Sequence, residues 1–130
     1  MFFTNITLQY NSTKLFIMGF DVFKSEKNGK YYFNLKAKNS QVILVSQGYA
    51  DMSGVKSGIS SVKRNCANAD NFIVKNSTDG KVFFNLIAGN NQVIGHSQVY
   101  SSKDSANKGI ASVRENAPQA EITMLGHKDQ

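Results

Sequence analysis

A chain of 130 residues is close to the commonest domain size, so one core of moderate depth is expected and two independent domains are not. Hydrophobic residues at 41% against charged residues at 18% exclude a disordered chain, and a single cysteine, Cys66, excludes an internal disulfide framework. The 15 Lys and Arg against 9 Asp and Glu, a net charge of +6, bias the protein toward polyanions, although lysines scattered along the chain read first as a solubilising surface.

Shifting the chain by 51 positions aligns it with itself. Lys24 meets Lys75, Gly29-Lys30 meets Gly80-Lys81, and Phe33-Asn34-Leu35 meets Phe84-Asn85-Leu86. The match continues without a gap through Gln41-Val42-Ile43, Ser46-Gln47, Tyr49, Gly58-Ile59, Ser61-Val62 and Asn65, and 20 of 47 paired positions are identical. Such self-similarity marks a duplicated supersecondary unit.

In chain order, residues 1–18 are expected to be a poorly packed N-terminal extension. A single domain follows over 19–126, with repeat one at 19–70, repeat two at 71–126, and a tail at 127–130. Phe20 to Lys24 reads as the first strand, and Lys27-Asn28-Gly29 as a turn that tolerates positive φ. The second strand alternates, with Tyr31, Phe33, Leu35 and Ala37 on a buried face and Tyr32, Asn34, Lys36 and Lys38 opposite. After the polar turn at Asn39-Ser40, Val42 to Val45 forms a third strand.

The period then changes from two to near 3.6, predicting a helix from Met52 to Asn65 with Asp51 as N-cap and a core stripe of Val55, Ile59 and Val62. Asn71 to Lys75 is a strand that both ends one copy and begins the other, so the copies interlock. Repeat two follows the same plan. Asp79-Gly80 turns the chain, and Val82, Phe84, Leu86 and Ala88 face inward while Lys81, Phe83 and Asn85 face out. Asn90-Asn91 turns it again into Val93 to His96. A helix from Lys103 to Asn116, capped by Ser102, carries Ala106, Ile110 and Val113, and Glu121 to Leu125 is the last strand.

Gly58 and Gly109 lie inside these helices, where each costs about 1 kcal/mol relative to Ala. The cost recurs in both copies, which predicts a close approach of helix to sheet or helix to helix. Asn65 and Asn116 are expected to end the helices in the left-handed conformation, with Pro118 preventing continuation.

The chain resembles the YegP-like family of small bacterial and archaeal proteins without an assigned reaction. The resemblance rests on F-D-V-F-K at 20–24, G-K-Y-Y-F-N-L-K-A at 29–37, S-Q-G-Y at 46–49, G-I-x-S-V-K at 58–63 and N-A-P-Q-A-E at 116–121, and it covers residues 19 to about 125. It implies an α+β fold in which two tandem β3-α-β repeats build a single antiparallel sheet, with two helices on one face and exchanged C-terminal strands. It implies that single-repeat members form the equivalent by dimerising, so this duplicated chain is expected to be a monomer with internal pseudo-two-fold symmetry. Repeat two departs from the pattern where Gly95 and His96 replace Leu44 and Val45, predicting a shorter or more exposed third strand. Residues 1–17 have no counterpart in the family, and Met18-Gly19-Phe20 is where such a protein is expected to start, so the preceding stretch reads as an extension or a misassigned start.

No catalytic set stands out. His96 and His127 are the only histidines, and neither has metal-ligand spacing to Cys66 or a carboxylate. Cys66, matched by Ala117, reads as a small packing residue. Ser46 and Ser97, with Tyr49 and Tyr100, read as residues fixing the strand-to-helix connection, since a hydroxyl without a nearby base is a weak nucleophile. No Gly-rich phosphate loop opens either helix, and the Asn-x-Ser/Thr triplets at Asn5, Asn11 and Asn76 matter only in a secretory pathway. No signal peptide or apolar run of about 18 residues is evident, so a cytoplasmic protein without membrane insertion is expected. No enzyme activity, metal or cofactor is expected.

One functional candidate remains. Tyr32, Asn34, Lys36 and Lys38 with Lys81, Phe83 and Asn85 mix aromatic and basic groups on the outward sheet face, where they could stack bases and contact phosphates. The plainer reading is that these side chains pair across strands and shield the back of a one-sided sheet. The expected function is therefore a non-enzymatic binding or interaction module, with nucleic-acid binding through this face as the alternative.

Overall fold

A computed structural model describes the backbone of residues 19–128 and the side chains of residues 19–125. The expectation for residues 1–18 lies outside the described residues. Strands β1 (Gly19–Ser25), β2 (Tyr31–Lys36) and β3 (Val42–Ser46) precede helix α1 (Met52–Asn65). Strands β4 (Phe72–Asn76), β5 (Val82–Ile87) and β6 (Val93–His96) precede helix α2 (Lys103–Asn116), and β7 (Ile122–Lys128) follows it. Both helices begin where their caps predict. The Asp51 carboxylate accepts from the Gly54 N–H at 2.8 Å, and the Ser102 hydroxyl accepts from the Ser105 N–H at 3.1 Å.

The described strands form one sheet in the order β4-β5-β6-β3-β2-β1-β7. The helices carry the chain across it. After α1, the chain enters β4 beside β5, and after α2 it enters β7 beside β1, so the closing strands are exchanged between repeats. The sheet expected to be antiparallel throughout is mixed, because β7 runs parallel to β1. The cause is where α2 delivers the chain. The Glu121 carbonyl accepts from the Phe20 N–H at 2.8 Å, so β7 starts at the end of the sheet where β1 starts and must run the same way. The strand continues to Lys128, with the backbone of His127 paired to Lys24, where a tail was expected from residue 127.

The register settles which faces are buried. Directly paired residues share a face, and one row crosses the sheet through Thr123, Asp21, Asn34, Val45, His96, Asn85 and Ile73. The neighbours of Asn34 and Asn85 therefore point to the other face together. There Phe33, Leu35, Phe84, Leu86 and Leu44 join Val55, Ile59, Val62 and Val113 from the helices in one buried cluster. Both repeats thus contribute to a single core, with both helices on one side. Edge contacts between Phe20 and Phe33 at 5.5 Å and between Phe72 and Phe84 at 5.7 Å repeat in the two halves.

Two local details differ from expectation, and a third follows it. The first hairpins differ in length, since Ser25 N–H bonds Lys30 O whereas Ser77 N–H bonds Lys81 O. The shorter turn, with Asp79 and Gly80 both at positive φ (63° and 73°), sets Lys75 opposite Phe83, where Phe23 rather than Lys24 stands opposite Tyr32. The constant 51-residue shift therefore slips by one in the opening strands. Next, neither helix ends in a left-handed residue. Cys66 (φ −70°) and Asn116 (φ −91°) remain right-handed, and the amides of Asn65 and Asn116 fold back to donate to the Ser61 and Ser112 carbonyls, both at 2.8 Å. Finally, β6 is one residue shorter than β3, as the Gly95-His96 departure predicts. A Cβ on Gly95 would lie 2.9 Å from the Val45 carbonyl and 3.0 Å from Leu44 Cγ, so the missing side chain makes room for Leu44 across the pseudo-dyad.

Candidate functional site

The seven residues expected on the outward face are all on it or at its margins, but they do not converge. Asn34 and Asn85 share the central row, separated by Val45 and His96. Because β2 and β5 run in opposite directions, Tyr32 and Phe83 lie toward opposite ends of the strands, about 20 Å apart by strand spacing and rise. Adjacent stacked bases cannot bridge that distance. Tyr32 is already engaged, stacked on Phe23 at 5.9 Å and accepting at its hydroxyl from the Asn28 amide at 2.8 Å. Lys36 pairs with the Asp21 carboxylate at 2.9 Å, and with the two side chains only 26% and 6% exposed this pair is partly withdrawn from water. Asn34, Phe83 and Asn85 are half-buried, and the Asn34 side-chain oxygen is buried with no hydrogen-bond partner among the described residues. Lys38 and Lys81 are exposed and stand toward the same end of the strands.

Ser46, Ser97, Cys66, Tyr49 and Tyr100 are engaged in hydrogen bonds or packing. Ser46 Oγ accepts from the Phe33 N–H at 2.9 Å and donates to the Gln47 carbonyl at 2.8 Å. Ser97 does the same with Phe84 and Gln98, at 2.9 and 2.7 Å. Each hydroxyl substitutes for a ladder partner where the chain leaves the sheet. Cys66 is fully buried, and burial pushes its thiol pKa up against weaker opposing effects of Arg114 and its own backbone. Burial also raises the pKa of the Tyr49 and Tyr100 phenols, which stack on Phe33 and Phe84. His96 is exposed beside Val45 and Asn85, with no carboxylate next to it in the pairing. Among the described residues no group of His, Cys, Asp and Glu could hold a metal ion.

Two arrangements were not anticipated from sequence. Arg114 of α2 donates to the Cys66 and Ala67 carbonyls beyond the end of α1, at 3.1 and 3.0 Å, and its repeat equivalent Lys63 donates to the Ala120 carbonyl beyond α2 at 2.9 Å. Each repeat's cation thus ties down the other repeat's helix exit. Ser53, Lys56, Ser57, Ser60 and Arg64 line an open groove along the solvent side of α1. Hydroxyls and cations at helical spacing were the available signal.

A model of a domain of unknown function, DUF1508, matches residues 26–72 and 77–123. The chain is 46% identical over 103 residues to the UPF0339 protein in the ptx operon 5' region of Stutzerimonas stutzeri, covering 79% of this chain and 93% of that protein. Two solved structures have the same fold. The solution NMR structure of the Escherichia coli protein of unknown function YegP aligns with a TM-score of 0.78 at 35% identity, covering 85% of this chain and 95% of the other. The UPF0339 protein SO3888 of Shewanella oneidensis aligns with a TM-score of 0.78 at 38% identity, covering 85% and 92%.

Proposed function

We propose that this protein, which belongs to the DUF1508 family of UPF0339 proteins, is a non-enzymatic binding or interaction module that acts in the cytoplasm as a monomer. The observation that carries this reading is the engagement of Ser46 and Ser97. A serine nucleophile needs a base to take its proton, whereas these hydroxyls give theirs to main-chain carbonyls and accept from buried main-chain N–H groups. The monomer reading draws support from the exchange of strands within one chain, which supplies both halves of the sheet. Among the described residues no helix is long and apolar enough to cross a membrane.

A second reading, nucleic-acid binding through the outward sheet face, is supported by exposed Lys38 and Lys81 standing toward the end of the face where Phe83 lies. Of the other four, Lys36 stands toward that end but is paired with Asp21, Asn34 and Asn85 lie on the central row, and Tyr32 lies toward the opposite end, stacked on Phe23.

Activity screening of the full chain beside its Ser46→Ala, Ser97→Ala and His96→Ala variants tests the first reading. The serine variants are expected to lose about 1–3 kcal/mol of stability each, because a buried N–H is left unpaired, with no change in any turnover. Turnover abolished by one of these substitutions in a variant that still folds overturns the non-enzymatic reading.

A further inference from the structure

We propose that the solvent face of α1 binds the phosphate backbone of a nucleic acid, an inference that rests on the binding-module reading and names its partner. Ser53, Lys56, Ser57, Ser60 and Arg64 are all exposed and form one stripe along the helix, at spacings of three, one, three and four. At about 1.5 Å per residue the stripe is about 16 Å long, which matches the axial rise of roughly five phosphates of one strand of a duplex at about 3.4 Å each. Its chemistry suits such a track, because hydroxyls donate to phosphate oxygens and Lys and Arg neutralise their charge. Helix α1 contains no Asp or Glu, and the capping Asp51 carboxylate is directed at the Gly54 N–H. Neither Lys56 nor Arg64 is in an ion pair among the described residues.

The second repeat supplies an internal comparison. At most packing positions the helices match, with Gly58, Ile59, Val62 and Asn65 returning as Gly109, Ile110, Val113 and Asn116, and Val55 returning as the apolar Ala106. On the stripe they part, and Ser53, Lys56, Ser57, Ser60 and Arg64 become Asp104, Asn107, Lys108, Ala111 and Glu115. The formal charge of the stripe is thus +2 on α1 and −1 on α2, at equivalent places in one fold. Packing holds the buried positions alike in both copies, whereas the outward positions have diverged in charge. Of the two helices, α1 presents the stripe that a polyanion would meet without repulsion.

Three charge-matched variants of the full chain test the inference. They are Lys56→Glu with Arg64→Glu on α1, Lys103→Glu with Lys108→Glu on α2, and Lys38→Glu with Lys81→Glu at the sheet end. Each reverses two charges and lowers the net charge from +6 by four to +2. Binding of fluorescently labelled single-stranded and duplex DNA and RNA is followed by anisotropy across salt concentrations, with circular dichroism confirming that each variant folds. The wild type is expected to bind one of these probes, and the α1 variant to lose about tenfold or more in affinity with a shallower salt slope, as expected for two lost phosphate contacts. The other two variants are expected to lose markedly less. Equal losses in all three, a largest loss in the sheet-end variant, or no binding to any probe at low salt overturns the inference. Binding to vesicles of anionic phospholipid without binding to nucleic acid also overturns it. None of these outcomes touches the non-enzymatic reading, which falls only on turnover.

Discussion

Phe84→Ala is expected to remove about 3–5 kcal/mol of stability in a single unfolding transition that takes both repeats with it. Phe84 is fully buried, meets Phe72 edge-on, stacks under Tyr100, and belongs to the same cluster as Phe33, Leu35 and Val55 of the other repeat. Truncation deletes the ring and leaves a cavity that rigid neighbours from both halves cannot collapse into. Against a total of about 5–15 kcal/mol for a domain, that loss is a large fraction. Urea unfolding followed by circular dichroism, with amide exchange at α1 and α2 read separately, checks it. Shared cooperativity requires that protection of α1 fall together with that of α2, although the substitution lies in repeat two. Protection of α1 at the wild-type level while α2 opens would instead mean two independently folding halves. If the alanine variant does not fold, Phe84→Leu gives a smaller loss with the same shared signature.

Gly58→Ala and Gly109→Ala are expected to destabilise by about 1–3 kcal/mol each, and close to the sum when combined, reversing the usual benefit of Ala in a helix. A Cβ at Gly58 would collide with the Tyr49 hydroxyl, lie 2.7 Å from its Cζ and 3.2 Å from Phe33 Cε2. At Gly109 the Tyr100 hydroxyl, its Cζ at 2.7 Å and Phe84 Cε2 at 3.1 Å stand in the same relation. The aromatic side chain leading into each helix is clamped between the helix backbone and a sheet phenylalanine, so neither ring can move aside cheaply. Thermal melts of the single and double variants measure the cost. In a Tyr49→Ala background the obstacle is gone, and Gly58→Ala is expected to turn neutral or stabilising by up to about 1 kcal/mol, the helix-propensity gain alone. An unchanged penalty in that background would mean that something other than Tyr49 excludes the side chain.

The clamp explains part of what could be read from sequence. A glycine recurring at one helical position in both copies signals close approach, and the approach exists, but the partner is a ring from the preceding connection, which periodicity alone does not reveal. The seven-residue sheet face fails to converge for a related reason. Alternation assigns Tyr32 and Phe83 to the same face, yet their separation depends on strand order and direction, which only pairing decides.

By itself the chain specified the duplication, the helix limits at Asp51 and Ser102, and the alternation that buries Phe33 and Phe84, because these depend on local spacing and side-chain type. Tertiary structure alone decided the parallel placement of β7, the one-residue slip in the first hairpins, the reciprocal ties of Lys63 and Arg114, and the engagement of Tyr32 and Lys36. Each of these joins residues far apart in the chain or depends on how two strands meet. The placement of β7 and the reciprocal ties arise from where the helices deliver the chain, and the slip and the Tyr32 and Lys36 contacts from the register that the first hairpins set.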